Sequence, residues 1–236
     1  MTRVCVCIPT YNEAQNIEAI VGRLRSAVPN ADVLILDDAS PDGTGALADA
    51  LAATDPQVHV MHRAAKAGLG AAYLAGFQWA LGEGYDVIVE MDADGSHQPE
   101  QLPRLLAGIE DGAELVLGSR YVPGGELVNW PAHRLALSRG ANRYTRLMLR
   151  LPLQDATGGF RAYRSTLLMK LDLASIESEG YCFQVDLAWQ SYRLGARVDE
   201  VPITFVERQR GKSKMSKAVV AEALWRVTVW GLRRKR

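Results

Sequence analysis

Two carboxylates close an apolar run in Val87-Ile88-Val89-Glu90-Met91-Asp92-Ala93-Asp94-Gly95. The run rises out of Tyr85 and lies between Gly84 and Gly95, which predicts a buried parallel strand. Side chains two apart on an extended chain point the same way. Asp92 and Asp94 are therefore expected to converge at the carboxyl end of that strand, where open α/β sheets place their ligands. Two carboxylates there suit a hard divalent cation such as Mg2+, completed by water and phosphate oxygens. An Asp-x-Asp triplet by itself is as readily a solvated loop after a strand. The elements around it must decide.

Other strands end at the same edge. Val4–Ile8 runs into Pro9-Thr10-Tyr11-Asn12-Glu13, followed by Ile17, Ile20, Val21 and Leu24 at helical spacing. Asn12 is placed to cap that helix, with Glu13 favourable in its first turn. The alternative is that Tyr11 stacks on a nucleobase and Glu13 accepts a hydrogen bond from it. Val33–Leu36 ends in Asp37-Asp38, ahead of a Pro41-Asp42-Gly43 turn. Those acids either cap the next helix or, for Asp38, bind ribose hydroxyls. Val58–His62 is a third strand. Gly68-x-Gly70 after it lacks the third glycine of a dinucleotide fingerprint, Tyr73 standing in its place, and no Walker A spacing occurs. With a helix from Pro99 and a fifth strand at Glu114–Leu117, strands alternate with helices. That alternation implies parallel βαβ units in a doubly wound sheet.

The second half carries cations instead. A helix is expected from Pro131, a residue that suits a first turn. Along it Arg139, Arg143, Arg146 and Arg150 fall within about 60° of one another, with Leu137, Ala141, Tyr144, Met148 and Leu151 opposite. No acid occurs between Glu126 and Asp155, so no i, i+4 partner offsets the stripe. It reads as a solvated face or as a surface for an anionic membrane. Arg134 lies off the stripe. Asp155–Arg161 reads as a glycine-rich loop before another helix, and a helix is expected through Leu194. Val198–Phe205 is a strand whose Pro202 places it at a sheet edge. Arg208–Lys214 is a basic loop suited to phosphates. A last amphipathic helix, Lys217–Leu232, offers Trp225, Trp230 and Leu232 as membrane anchors and ends in Arg233–Arg236.

The 236 residues, 48% of them hydrophobic, are ample for one α/β domain. Net charge is zero but polarised: residues 1–119 hold 17 acids and 6 bases, and residues 207–236 hold 10 bases and 2 acids. An acidic half joined to a basic tail points to an anionic partner for the second half. Cys5 and Cys7 share one face of a strand and Cys182 is distant, so no disulfide framework is expected and a reduced cytosolic setting is the default. No signal peptide precedes Val4, and no apolar run reaches the roughly 18 residues of a membrane span.

Taken together, VCIPTYNE (6–13), DDASPDGT (37–44), KAGLGAAY (66–73), DADGSHQP (92–99), GSRYVPGG (118–125), DATGGFRAY (155–163) and RQRGKSK (208–214) resemble the dolichol- or polyprenol-phosphate mannosyltransferases. These are GT-A-fold, inverting glycosyltransferases of family 2, and the resemblance is to their compact members without transmembrane helices. It implies GDP-mannose as donor, a polyprenyl monophosphate as acceptor, and Mg2+ or Mn2+ as cofactor. By motif, Pro9, Tyr11, Glu13 and Asp38, with Leu36 beside them, would hold guanosine. Asp92, Ala93 and Asp94 would hold the diphosphate and metal. Some relatives have Gln where Ser96 stands, so Ser96 becomes a third candidate metal ligand. Arg208 and Lys214 would close over the phosphates, and Arg120, with Arg134 or Arg139, would hold the acceptor phosphate. Asp94, Arg120 and Arg134 are the residues expected to carry catalysis.

Residues 1–119 would then form the nucleotide and metal half of a single domain, 120–214 the acceptor half, and 215–236 a membrane-proximal tail. Peripheral binding to the cytoplasmic face of a membrane is expected, and nucleic acid is not an expected partner. Two other readings stay open: a prenyl-phosphate glycosyltransferase using a UDP-sugar, and a non-catalytic membrane-surface protein. A sugar-nucleotide pyrophosphorylase is a third, disfavoured because Thr10-Tyr11-Asn12-Glu13 stands where its Gly/Arg-rich loop would be.

Overall fold

Alternation along the first strand sets up a core on both faces of one sheet. In β1 (Val4–Thr10), Cys5 and Cys7 pack with Tyr73 and Phe77, while Val6 and Ile8 point the other way onto Ile17, Ile20 and Leu24. The structure, a computed structural model, describes residues 2–176, 181–208 and 217–233. Lys214 and the 234–236 tail lie outside the described residues. The remaining strands are β2 (Ala31–Asp37), β3 (Val58–His62), β4 (Val87–Glu90), β5 (Leu115–Ser119), β6 (Glu126–Val128), β7 (Arg161–Arg164), β8 (Val198–Pro202) and β9 (Thr204–Val206). Seven of them form one sheet in the order β3-β2-β1-β4-β7-β5-β8, parallel except for β7.

Helices α1 (Ile17–Ala27), α2 (Thr44–Thr54) and α4 (Leu102–Glu110) cover one face. The other is covered by α3 (Leu69–Gly82), α6 (Ser165–Leu168), α7 (Tyr181–Arg193) and the apolar sides of α5 (Ala132–Leu149) and α8 (Lys217–Arg233). This is the doubly wound, mostly parallel α/β sheet that the alternation of elements predicts. Gly76 lets α3 lie tightly on it: a Cβ there would sit 3.0 Å from both Cys7 Sγ and Leu36 Cδ1.

Four local expectations are corrected. The loop at Asp155–Arg161 leads into a strand, β7, which enters antiparallel between β4 and β5 before the short helix α6. Local periodicity carries no signal for a strand whose partners are 44 or more positions away, as in the Leu117–Arg161 to Leu115–Tyr163 pairs. The strand expected at Val198–Phe205 is two strands. β8 ends at Pro202 on the sheet edge, and β9 pairs with β6 in a separate parallel ribbon. Asn12 does not cap α1, which begins four residues beyond Glu13; it adopts φ 60° in a turn, its N–H donating to Ser40 Oγ at 3.0 Å. Trp230 is no surface anchor, because it stacks on Trp189 with centroids 5.5 Å apart, whereas Trp225 and Leu232 are exposed.

Candidate active site

The chain leaves β1 outward through β2 and β3, then returns to β4 on the other side of β1. The crevice at the carboxyl ends of β1 and β4 is therefore the topological switch point, the expected ligand position in an open α/β sheet. Tyr11 and Glu13 follow β1, Asp38 follows β2, and Asp92 and Asp94 follow β4. Lys66 Nζ lies 4.2 Å from the Tyr11 ring centroid, and Glu13 accepts from Asn16 Nδ2 at 2.8 Å. Asp38 is buried and accepts from Arg63 Nη1 at 2.6 Å and from the Ala67 N–H at 3.4 Å. Arg63 and Lys66, which sequence reasoning left unassigned, thus hold the β3–α3 loop against this edge. The Leu36 and Ala93 side chains sit in the core; what they present at the edge is main chain.

Asp92 and Asp94 line one cleft of about 440 Å³, its open mouth included. They reach it from a turn rather than from the pleat, since β4 ends at Glu90 and Gly95 has φ 76°. Asp94 Oδ1 accepts the Ser96 N–H at 3.0 Å, and Asp94 Oδ2 lies 2.9 Å from Arg208 Nη2. Asp92 Oδ1 accepts from Tyr73 Oη at 3.1 Å. Burial and the neighbouring Asp94 charge hold the Asp92 carboxyl above its ordinary range, against the pull of His97, Tyr73 and Arg208. His97 belongs to the same motif. It is buried, its Nδ1 accepts the Asp92 N–H at 3.1 Å, and its ring lies against Phe160 and Phe205. Burial lowers its pKa, so the imidazole is neutral at neutral pH and acts as an acceptor that shapes the turn.

Ser96 lines the same cleft, as metal ligation requires. Among the described residues no group of three His, Cys, Asp or Glu side chains converges on one point. An ion held by Asp92 and Asp94 would take its remaining ligands from water, Ser96 or a bound phosphate, the coordination habit of Mg2+. The cation already resting on Asp94 is a chemical indication that this carboxylate seeks positive charge.

Two arginines, Arg120 and Arg134, close the other side of the cleft. Arg120 is 6% exposed and Asp155 fully buried; Nε and Nη2 donate to the two Asp155 oxygens, each at 2.6 Å. Burial alone would raise the Asp155 carboxyl, but the Arg120 guanidinium and N–H overcome it and hold the pKa below the usual value. Arg134 pairs with Glu207 and lies 4.8 Å from the Trp130 ring centroid. Of the two acceptor candidates, Arg134 lines the cleft, whereas Arg139 is exposed on the outer face of α5, 5.9 Å from the Tyr121 ring centroid. Asp155 and Glu207 were not predicted as site residues, because nothing local marks an acid as the partner of an arginine far along the chain.

Arg120, Trp130, Arg134 and Thr157 also line a second cavity, so the polar cleft adjoins it across shared residues. This groove of about 760 Å³, again with its mouth, runs between α5, α7 and α8 and is walled by Leu137, Ala141, Tyr144, Val185, Leu224 and Val227. The helices are tied by a 2.6 Å hydrogen bond between Tyr144 Oη and Thr228 Oγ1. Arg139, Arg143, Arg146 and Arg150 are exposed as the stripe predicts, with Leu147 exposed beside them. No described helix is long and apolar enough to cross a membrane.

Beneath the cleft lies Glu90, fully buried, with neither carboxylate oxygen hydrogen-bonded among the described residues. Burial pushes its pKa up to about 7, opposed chiefly by the nearby Arg161 charge. Inside an apolar strand run it carries no sequence signal.

Comparison with known proteins agrees with this geometry. The chain is 58% identical over 232 residues to a polyprenol monophosphomannose synthase of Mycolicibacterium smegmatis, covering 98% of this chain and 88% of that protein. It is 60% identical over 230 residues to an undecaprenyl-phosphate mannosyltransferase of Micrococcus luteus, covering 98% and 94%. The fold superposes on that of a mannosyltransferase of Pyrobaculum calidifontis solved with GDP-Man and Mn2+, at TM-score 0.63 and 19% identity, over 99% of this chain and 64% of that one. Residues 5–172 match the glycosyl transferase family 2. A GT-A-type α/β sheet with its acids at the switch point, an arginine-walled cleft and this match make the chain a glycosyltransferase belonging to family 2.

Proposed function

We propose that the protein transfers mannose from GDP-mannose to a polyprenyl monophosphate, releasing GDP and a polyprenyl-phosphate β-mannose. The observation that carries this reading is the adjacency of two unlike cavities: an acid- and arginine-lined cleft shares Arg120, Trp130 and Arg134 with an apolar groove. A nucleotide-sugar fits the first alone. Only an acceptor with an anionic head and an apolar tail has use for the junction. The names and identities of the M. smegmatis and M. luteus relatives support mannose and a prenyl phosphate as the substrates.

In this reading guanosine lies along Tyr11, Glu13 and Asp38, and the diphosphate reaches the Asp92–Asp94 turn. Asp92 and Asp94, with Ser96, would hold Mg2+ or Mn2+, which as a Lewis acid would offset the charge developing on the departing diphosphate. Arg208 adds positive charge on the same side; Lys214 lies outside the described residues. The acceptor phosphate is anionic at neutral pH and needs no strong general base, unlike a sugar hydroxyl. It needs placement. Arg120, braced by Asp155, and Arg134, braced by Glu207 and Trp130, stand at the junction where that head group would rest. Attack of its oxygen opposite the leaving group inverts the anomeric carbon.

Residues 1–119 supply the donor half in this reading, 120–214 the acceptor half and 215–236 a membrane-proximal tail. The exposed arginine stripe, Trp225 and Leu232 would rest on an anionic leaflet, making the enzyme peripheral on the cytoplasmic face. The test is purified protein, GDP-mannose, Mg2+ or Mn2+ and polyprenyl phosphate in vesicles, read as a mild-acid-labile mannolipid. Transfer from UDP-glucose but not GDP-mannose would overturn the donor, and no transfer from either would overturn the reading.

A further inference from the structure

Asp94 already has a cation. Arg208 Nη2 lies 2.9 Å from its Oδ2, with the two side chains only 22% and 8% exposed. A carboxylate so enclosed is costly to leave uncompensated, and Arg208 meets that need. It also stands at the oxygen that the proposed metal site requires. We infer that Arg208 and the divalent ion compete for Asp94, and that binding of a metal–diphosphate group transfers Arg208 from the carboxylate to the phosphates. This rests on the reading of the cleft as a nucleoside-diphosphate site.

Electrostatics set the order of events. A guanidinium and a divalent cation sharing one carboxylate repel each other, so the ion arriving alone must displace Arg208 into solvent. An arriving diphosphate changes the balance, because it offers the guanidinium a bidentate anion of better geometry than a shared carboxylate. Metal and nucleotide then bind with positive coupling, and Arg208 carries part of it. The backbone limits how the exchange can happen. The Val206 N–H donates to the Ser96 carbonyl at 3.1 Å and the Glu207 N–H to the Val128 carbonyl at 2.9 Å. Phe205 packs edge-on to His97 and Trp130. With β9 pinned immediately before it, Arg208 exchanges partners by swinging its long side chain. Glu207 next to it keeps Arg134 in place meanwhile, so the acceptor junction is not dismantled.

The experiment titrates Mn2+ alone into wild type and Arg208→Ala, followed by electron paramagnetic resonance of free Mn2+. Each protein is then titrated with GDP by calorimetry at saturating Mn2+. Two shifts of opposite sign are expected. Without its internal competitor, Arg208→Ala binds Mn2+ alone about 5-fold more tightly. Without its phosphate ligand, it binds GDP about 10-fold or more weakly. Arg208→Lys, which keeps the charge, should lie between the two, and thermal unfolding checks that both variants fold. Weaker GDP binding with unchanged or weaker Mn2+ binding would make Arg208 a phosphate ligand only and overturn the exchange. Tighter Mn2+ binding with no GDP binding even to wild type would instead overturn the nucleotide reading and leave the competition at Asp94 standing. No Mn2+ binding to either protein would remove both.

Discussion

At the carboxyl ends of β1, β2 and β4 each candidate residue lies within a few positions of the strand that delivers it. Around Arg120 and Arg134 each guanidinium is fixed by an acid 35 or 73 positions away. The edge we assign to the donor is thus a by-product of sheet topology: once the strands pair, Tyr11, Asp38, Asp92 and Asp94 have to arrive together. The edge we assign to the acceptor is built from ion pairs, aromatic contacts and helix packing, which form only when distant segments meet. Such an edge can be altered one contact at a time, whereas the donor edge resists anything short of disrupting the sheet.

The sharpest test of that contrast is Asp155→Asn. It leaves Arg120 buried beside an uncharged amide, so a stability loss of about 3–5 kcal/mol is expected in denaturant titration. The pH sign follows from the lowered Asp155 pKa. Its stabilisation is present above the unfolded carboxylate value and is lost as pH falls through the folded one. A loss below about 1 kcal/mol would mean that the acceptor edge does not depend on this pair. At the donor edge Asp94→Asn should do the opposite, lowering kcat by about 10²–10³-fold, or roughly 2.7–4 kcal/mol of barrier, while the melting temperature stays within a few degrees. Wild-type turnover in that variant, or full activity in EDTA, would refute the metal assignment.

Arg120 is a poor probe of the acceptor, since its removal orphans Asp155. Arg134→Ala is better placed, being partly exposed and at the junction. We expect acceptor kcat/KM to fall about 10- to 100-fold, with GDP affinity unchanged. An equal loss of GDP affinity would put Arg134 on the donor instead. Glu90 offers a smaller effect. Its folded pKa of about 7 lies above the ordinary 4.5, so the folded state binds the extra proton and its stability falls as pH rises from about 4.5 to 7. Between pH 5 and 8 the stability of Glu90→Gln should therefore gain on wild type by about 2 kcal/mol in paired melting curves. A pH-independent difference would show that Glu90 stays ionised throughout.

The smallest effect belongs to the outer face. Replacing Arg143 by Gln should weaken sedimentation with anionic liposomes by about 1 kcal/mol, roughly fivefold, and the loss should shrink as salt rises. Equal binding to neutral vesicles would mean that the stripe is merely solvated.

Strand and helix positions followed closely from periodicity. Val58–His62 matches the strand expected there residue for residue, and strand order brings Asp92 and Asp94 to one cleft, although a turn beyond β4 rather than alternation along the strand aims them. Helical angle set Arg134 apart from the arginine stripe, but could not tell whether it faced the site. The rotation of α5 was decided by its packing on α8. For β7 the local signal failed, since its hydrogen bonds go to β4 and β5 and to nothing nearby.

What the sequence determined by itself was periodic or compositional. It specified alternating strands and helices, acids at successive strand ends, a basic second half, and motifs that resemble one enzyme family. These are properties of residues a few positions apart, where chain geometry alone dictates direction. The tertiary structure decided which charge meets which: Asp155 under Arg120, Glu207 on Arg134, Arg208 on Asp94, and Glu90 buried without a hydrogen-bonding partner among the described residues. It also decided that the polar cleft adjoins an apolar groove. The reason is physical: an ion pair's worth depends on burial and on a partner brought in by the rest of the fold, and neither quantity is a property of the segment that carries the charge.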